Sequence, residues 1–364
     1  MVVPSFPIMS KNLRRWLGVG ICAVVIALAF HNLTRGEEWQ NFSWERVWLS
    51  VKDANPAYLL GAVIATYITY FVRAYRWRSF LDPIKKASLW NLFVGQILGF
   101  SAVYLIGRPG EFVRPAYIAR KEDVTFTSQA AIWLLERIYD MVFIILLFSV
   151  ALSFGPLQPE TAHARHVLRE TRWVGLAILL VAVLIVVVLV IFRLRSEELT
   201  TGTPKFLRFL SERGQKRLEQ FLRSFADGLE VVENWKDFLA SVASTAVLWF
   251  VNVSVFWLVF RSLGGDMGKL SWLAAGLVLV FSILGMLAQL PGIGGGFQYV
   301  AIGVLRGFFR VNPESATGTA ILLWLVISVP CVLLGLVLLV HEGLTVKNIG
   351  TMAEKKQPAT AEKS

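Results

Sequence analysis

Eight runs of mostly apolar residues recur along this 364-residue chain, at Trp16 to Leu33, Ala57 to Val72, Trp90 to Ile106, Ala130 to Phe154, Trp173 to Phe192, Leu239 to Phe260, Trp272 to Leu290 and Thr319 to Val340. Each is close to the roughly 20 residues that an α-helix needs to cross a bilayer. A shorter apolar piece, Tyr299 to Phe309, lies between the last two. The pattern predicts an all-α, polytopic transmembrane helical bundle of about eight spans with two re-entrant or broken segments. Polar sequence brackets these runs, so the expected organisation is a basic N-terminus over 1–15, a transmembrane domain over 16–345 and a disordered tail over 346–364. The first run follows Lys11, Arg14 and Arg15 but is followed by His31 to Arg35, which lacks small residues for cleavage, so it reads as a retained anchor.

Two polar interruptions break the apolar pattern. Gly107-Arg108-Pro109-Gly110-Glu111-Phe112-Val113-Arg114-Pro115 directly follows the run ending at Ile106 and combines helix breakers with charge. Irregular backbone at membrane depth is tolerated only where protein or a watery cavity surrounds it, so this loop points to a site. The second interruption is Pro291-Gly292-Ile293-Gly294-Gly295-Gly296-Phe297, followed by Gln298. Paired Gly/Pro breaks in the two halves are the mark that an internal repeat around a midplane site leaves in a sequence. Close packing of helices on small residues is the alternative reading of the glycines.

Basic residues set the expected orientation, because cytoplasmic loops carry an excess of Lys and Arg. If all eight runs crossed from a cytoplasmic N-terminus, the linker 193–237 with its nine Lys and Arg would fall outside. A Trp90 to Ile106 segment that dips in and returns to the same face puts that linker, the 73–86 cluster and the 107–129 segment inside together. The linker also spaces Phe206, Leu210, Leu218, Phe221, Leu222, Phe225, Leu229 and Val232 mostly three or four apart among charges, which predicts amphipathic helices on the cytoplasmic surface.

Composition narrows the class: 55% of residues are hydrophobic, with 13 Trp and 25 Phe, and the net charge is +11. The positive charge suits anionic head groups at the membrane surface; no soluble basic face or reading module suggests nucleic acid. Cys22 and Cys331 both sit in apolar runs, which argues against a disulfide framework or a cysteine metal site. His163 and His166 lack a third ligand nearby, and no serine neighbours a histidine base, so no catalytic role, metal or cofactor is expected.

Candidate chemistry gathers in Glu136-Arg137-Ile138-Tyr139-Asp140, within the run Ala130 to Phe154. Glu136 and Asp140 share a helix face, and Arg137 lies about 100° around from Glu136. Each unpaired charge in a span costs roughly 2.5–3.5 kcal/mol, so the three need partners or water. Arg108 and Arg114 of the first loop, or Arg73 and Arg76 of the cluster Arg73-Ala74-Tyr75-Arg76-Trp77-Arg78, are the natural partners. A register-fixing salt-bridge network is one outcome; the surplus of arginine suits a phosphate-bearing ligand, whose oxygens match the planar guanidinium fork.

Arg73-x-x-Arg76-Trp77, Arg108-Pro109-Gly110-Glu111-x-x-Arg114, Glu136-Arg137-x-x-Asp140 and the Pro291-Gly292 loop, in this order, resemble the motifs of the lysylphosphatidylglycerol synthase transmembrane-region, or flippase-like, family over about residues 10 to 345. The resemblance implies a bacterial-type inner-membrane protein that moves a lipid or lipid-linked head group between leaflets. The mechanism expected on this reading is that Arg108, Arg114 and Arg137 receive an anionic or zwitterionic head group, that Glu111, Glu136 and Asp140 hold those arginines apart and engage an amine on the lipid, and that the broken-helix residues Pro109, Gly110, Pro291, Gly292, Gly294, Gly295 and Gln298 allow the rearrangement. Two departures stand out. The chain ends about 24 residues after its last apolar run, without the soluble transferase region of the synthases, so synthase activity is not expected. Gln298 stands where the family's second loop usually has a glutamate, which leaves no carboxylate there for proton coupling. Membrane lipids and envelope-biogenesis enzymes are the expected partners. A membrane enzyme or accessory subunit acting on lipid-linked substrates, and a scaffold for envelope assembly, are the competing classes.

Overall fold

The computed structural model describes residues 41–155, 173, 175–177, 180, 184, 235–286, 289–290, 292 and 294–343. The run Trp16 to Leu33, most of Trp173 to Phe192, the pair His163 and His166, the linker up to residue 234, Pro291 and the tail lie outside the described residues. The remainder is α1 (Trp44–Lys52), α2 (Pro56–Leu81), α3 (Leu89–Ile106), a tight helical turn at Arg108–Phe112, α4 (Val113–Lys121), α5 (Phe126–Phe154), α6 (Trp235–Leu263), a single turn at Gly265–Gly268, α7 (Trp272–Gly285), the two-residue strands β1 (Gln289–Leu290) and β2 (Gly294–Gly295), α8 (Gly296–Phe309) and α9 (Pro313–His341). The architecture is an all-α membrane bundle. Among the described residues, five helices are long and apolar enough to cross a membrane: α2, α3, α5, the Phe238–Leu263 part of α6, and α9.

Local chemistry fixes the helix ends. Asn55, Thr125, Ser271 and Asn312 each accept a backbone N–H of the first turn of α2, α5, α7 and α9, the interaction that makes these residue types good N-caps. Pro56 and Pro313 occupy first-turn positions, where a missing N–H costs nothing. Helix α2 outlasts the apolar run read at Ala57 to Val72 and carries Arg73 and Arg76 within it. Their guanidinium groups are paired inside the bundle, so helical backbone continues through a stretch whose polarity suggests a loop.

Helices α2 and α6 are antiparallel neighbours: Asn55 N–H donates to Ser262 O at 2.7 Å near one end, and Arg76 donates to Thr245 Oγ1 at 3.0 Å near the other. The face holding the end of α2 carries Arg78, Lys85, Lys86, Arg120 and Lys121 and is called the basic face below.

Two helical hairpins enter from opposite faces. From the basic face, α3 runs in, the chain reverses at Gly107, and α4 runs back beside it. A Cβ on Gly110 would lie 2.4 Å from the backbone of Ala102 and Val103, one on Gly99 2.6 Å from Arg114 Cβ, and one on Gly95 2.9 Å from Ile118. The hairpin closes at its base, where Glu122 accepts from Ser88 N at 3.2 Å and from Asn91 Nδ2 at 2.7 Å. Gly107 takes φ 76°, a region open to glycine at little cost, and this permits the reversal.

The second hairpin enters from the opposite face and corrects the reading of Trp272 to Leu290 as one span. Helix α7 stops at Gly285, Gln289 pairs with Gly295 and Leu290 with Gly294, and α8 then runs back. A side chain at Gly285 would meet Gly296 O at 2.3 Å, so the two helices cross in near backbone contact. Gly294 and Gly295, at φ 89° and 76°, form the return. The apolar piece read as Tyr299 to Phe309 is therefore the body of a returning helix, not an addition to the crossing before it.

The hairpins meet inside the bundle. Gly292 N–H donates to Tyr104 O at 2.9 Å, which joins the glycine loop to the last turn of α3. Tyr104 and Phe297 both pack on Trp324 of α9, with ring centroids 5.4 and 5.7 Å away. Helix α9 is held against α3 by Gly335, where a Cβ would lie 2.0 Å from Ser101 Oγ, and by the Ser101 hydroxyl donating to Cys331 O at 2.8 Å.

Candidate functional site

Helix α5 presents Glu136 and Asp140 one turn apart on its buried face, and three arginines from two other elements converge on them. Arg76 of α2 places Nη2 2.7 Å from Glu136 Oε1 and Nη1 2.9 Å from Asp140 Oδ1. Arg73, one turn earlier, reaches the same pair at 2.9 and 3.4 Å. Arg114 of α4 approaches Glu136 Oε2 at 2.9 Å from the other side. Arg76, Arg114, Glu136 and Asp140 are all buried.

Neutral side chains complete the cluster. Arg114 donates to Gln96 Oε1 at 2.6 Å and lies over the Trp77 ring, 4.4 Å from its centroid. Trp77 Nε1 in turn donates to Gln129 Oε1 at 2.9 Å. Trp249 Nε1 donates to Asp140 Oδ1 at 3.3 Å, and Arg73 sits 5.2 Å from the Phe100 ring centroid. Stacking on aromatic faces suits the weakly hydrated guanidinium in a site that excludes water. Three guanidinium groups face two carboxylates, which leaves this cluster with one net positive charge.

The eight candidate binding residues thus divide. Arg73, Arg76, Arg114, Glu136 and Asp140 form the buried cluster. Arg108, Glu111 and Arg137 form a second, more exposed one beside the turn of the first hairpin: Arg108 Nη1 lies 2.6 Å from Glu111 Oε1, and Arg137 Nη2 lies 3.9 Å from Glu111 Oε2 and stacks on Trp133 at 5.7 Å. The side chain of Arg108 is half exposed. The 100° offset between Glu136 and Arg137 on α5 is what sends them to different clusters.

Of the broken-helix residues, Pro109 and Gly110 lie in the helical turn against α3, Gly292 is bonded to Tyr104, and Gly294 and Gly295 form the second return. The amide of Gln298 folds back over Gly294, where a Cβ would lie 2.6 Å from its Oε1.

Gln96, Gln129, Thr245, Trp249 and Asn252 belong to this region and were not singled out from the sequence. The available signal was faint: Gln96 is the one amide in the interior of the run Trp90 to Ile106, where Asn91 sits at the start, and Thr245, Trp249 and Asn252 recur at three- to four-residue spacing in the run Leu239 to Phe260.

Beside the buried cluster, between α2, α6, α9 and both hairpins, lies a cavity of about 130 Å³. Arg73 and Trp249 belong to both the cluster and the cavity wall. Phe100 and Tyr104 come from the first hairpin, and Met286 and Phe297 from the second. A second, larger groove of about 820 Å³ opens on the face opposite the basic one, between Asp53, Asp266, Lys269, Arg310 and Asn312.

The arrangement can hold an anionic group next to Arg73 in surroundings otherwise aromatic and apolar. Comparison with known families yields one match relevant to this architecture: the model described as the lysylphosphatidylglycerol synthase TM region matches residues 15–335. No curated protein matches the chain.

Proposed function

The chain belongs to the lysylphosphatidylglycerol synthase TM-region family, and from that premise we propose that it is a flippase-like transporter that carries a lipid head group between leaflets. A membrane-embedded, lipid-related role is what family membership supports; transfer between leaflets is the finer reading. The observation that carries it is the meeting of two hairpins from opposite faces beside a buried arginine cluster. The two hairpins are joined by a short backbone contact, Gly292 N–H to Tyr104 O. Displacing one hairpin opens a path from Arg73 to one face, and displacing the other opens a path to the opposite face. Inverted pairs of broken elements around a central site serve alternating access in this way.

In this reading the half-exposed Arg108 and the less exposed Arg137 meet a phosphate-bearing head group first, with Glu111 holding them apart. Arg73 and Arg114 receive it next, while Glu136 and Asp140 keep the guanidinium groups ordered in the absence of the lipid. The first hairpin is then a re-entrant element, and the N-terminus lies on the cytoplasmic side with the basic face, in a bacterial-type inner membrane.

The test is transfer of fluorescent phospholipids between the leaflets of vesicles containing the purified protein, comparing wild type with Arg114→Gln and Glu136→Gln. Loss of transfer in folded variants supports the assignment. Transfer that is absent in the wild type, or indifferent to both changes, moves the protein to the accessory or scaffold class.

A further inference from the structure

The charge and shape of the 130 Å³ cavity say which head groups fit it. Its wall includes Thr66, Thr69, Tyr70, Phe100, Trp249 and Phe297, and among the described residues Arg73 is its one charged side chain. Glu136 and Asp140 do not line it; their oxygens are turned to Arg73, Arg76 and Arg114 at 2.7 to 3.4 Å. An amine entering this space meets a guanidinium and no carboxylate. Asn252 also lines the cavity, and its buried Nδ2 has no hydrogen-bond partner among the described residues. A buried donor left without an acceptor is costly, so this amide is a second recognition element of the same sign as Arg73. The threonines add no competing donors, since Thr66 Oγ1 donates to Ala62 O and Thr69 Oγ1 to Thr66 O.

Size is compatible with a small head group. A cavity of roughly 150 Å³ holds a molecule such as benzene, so about 130 Å³ beside Arg73 has room for a compact phosphate group. Charge sets the limit: the buried cluster has one guanidinium more than it has carboxylates, and a single negative charge on the occupant neutralises it. Resting on the transport reading above, we propose that the cavity between Arg73 and Asn252 is the head-group site for a lipid phosphate monoanion, such as a phosphodiester, and that it rejects head groups bearing a free amine.

The probes are dihexanoyl phosphatidylglycerol, its lysyl ester and dimethyl phosphate, titrated into the full chain in detergent while tryptophan fluorescence is followed, since Trp249 and Trp324 line the site. The expected result is saturable binding of the phosphatidylglycerol, at least ten-fold weaker binding of the lysyl ester, and weak binding of dimethyl phosphate. Asn252→Asp, which leaves the arginine cluster untouched and puts a negative charge where the amide stands, is expected to abolish phosphatidylglycerol binding; Arg73→Gln is expected to weaken it at least ten-fold. Equal binding of the lysyl ester, or indifference to Asn252→Asp, overturns the assignment. Dimethyl phosphate binding as tightly as the lipid makes the site one for a free anion and overturns the lipid source. If vesicle transfer depends on Arg114 but these probes fail to bind, the head-group inference falls alone. If the probes bind and no transfer occurs, the transport reading falls alone.

Discussion

Arg76 bridges Glu136 and Asp140, with one Nη on each carboxylate at 2.7 and 2.9 Å, and so joins α2 to α5 through a guanidinium that is fully buried. The two carboxylates are four residues apart, the spacing that stacks them on one helix face and matches the planar fork. Lysine offers a point charge and reaches only one of them well. We expect Arg76→Lys to lower the melting temperature of the detergent-solubilised protein, and Glu136→Gln to cost more, on the order of 3–5 kcal/mol, because it strips Arg114 of its carboxylate and leaves Arg73 and Arg76 sharing Asp140 in a buried setting. Unchanged melting in both variants refutes a structural role for the cluster.

Gly110 and Gly303 separate two kinds of glycine. The first lies against the α3 backbone, with no room for a methyl group, and the second faces open space within α8. Gly110→Ala forces backbone apart and should cost about 1–3 kcal/mol. Gly303→Ala should be neutral or stabilising by up to about 1 kcal/mol, since alanine is the better helix former. Thermal melts of the two variants side by side decide the matter, and equal effects contradict the tight hairpin.

The contact between Gly292 and Tyr104 runs through backbone, so side-chain replacement at Tyr104 preserves it while removing the ring that packs on Trp324 at 5.4 Å. If the hairpins rearrange during transfer, Tyr104→Ala loosens their meeting point. Hydrogen exchange at residues 102–107 and 294–299 should rise together in that variant. A rise confined to one hairpin argues that the two move independently.

At the basic face Lys121 bonds Glu342, at 2.6 Å, and this hydrogen bond holds the Glu342 carboxyl below the ordinary carboxylate value of 4.5, against the opposing effect of burial. A depressed carboxylate stabilises the fold above its unfolded pKa and loses that contribution as pH falls through the lower folded value. The last turn of α4 should therefore be held less firmly against α9 as pH drops below about 4.5, seen as faster exchange over 119–122. Lys121→Met should remove this acid dependence; if the variant keeps it, another group is responsible.

The order of apolar runs determined from the sequence alone that this is a multi-pass helical membrane protein, and the motif order pointed to the family that matches residues 15–335. The cost of ionised groups among apolar residues also marked Glu136 and Asp140 as needing partners, and their spacing put them on one face. Which arginines answer them was decided by tertiary structure. Arg73, Arg76 and Arg114 do so at close range, whereas Arg108, equally near the motif in sequence, turns to Glu111. The extent of helices was likewise decided in three dimensions: pairing let α2 continue through a charged stretch, and the Gly285–Gly296 crossing ended α7 inside an apolar run. The physical reason is that hydrophobic periodicity reports only how each segment divides itself between polar and apolar surroundings. Pairing between residues 60 or more positions apart, such as Arg76 with Glu136 or with Thr245, depends on which helices pack together and at what depth, and that is settled by close contacts between backbones that no local pattern encodes.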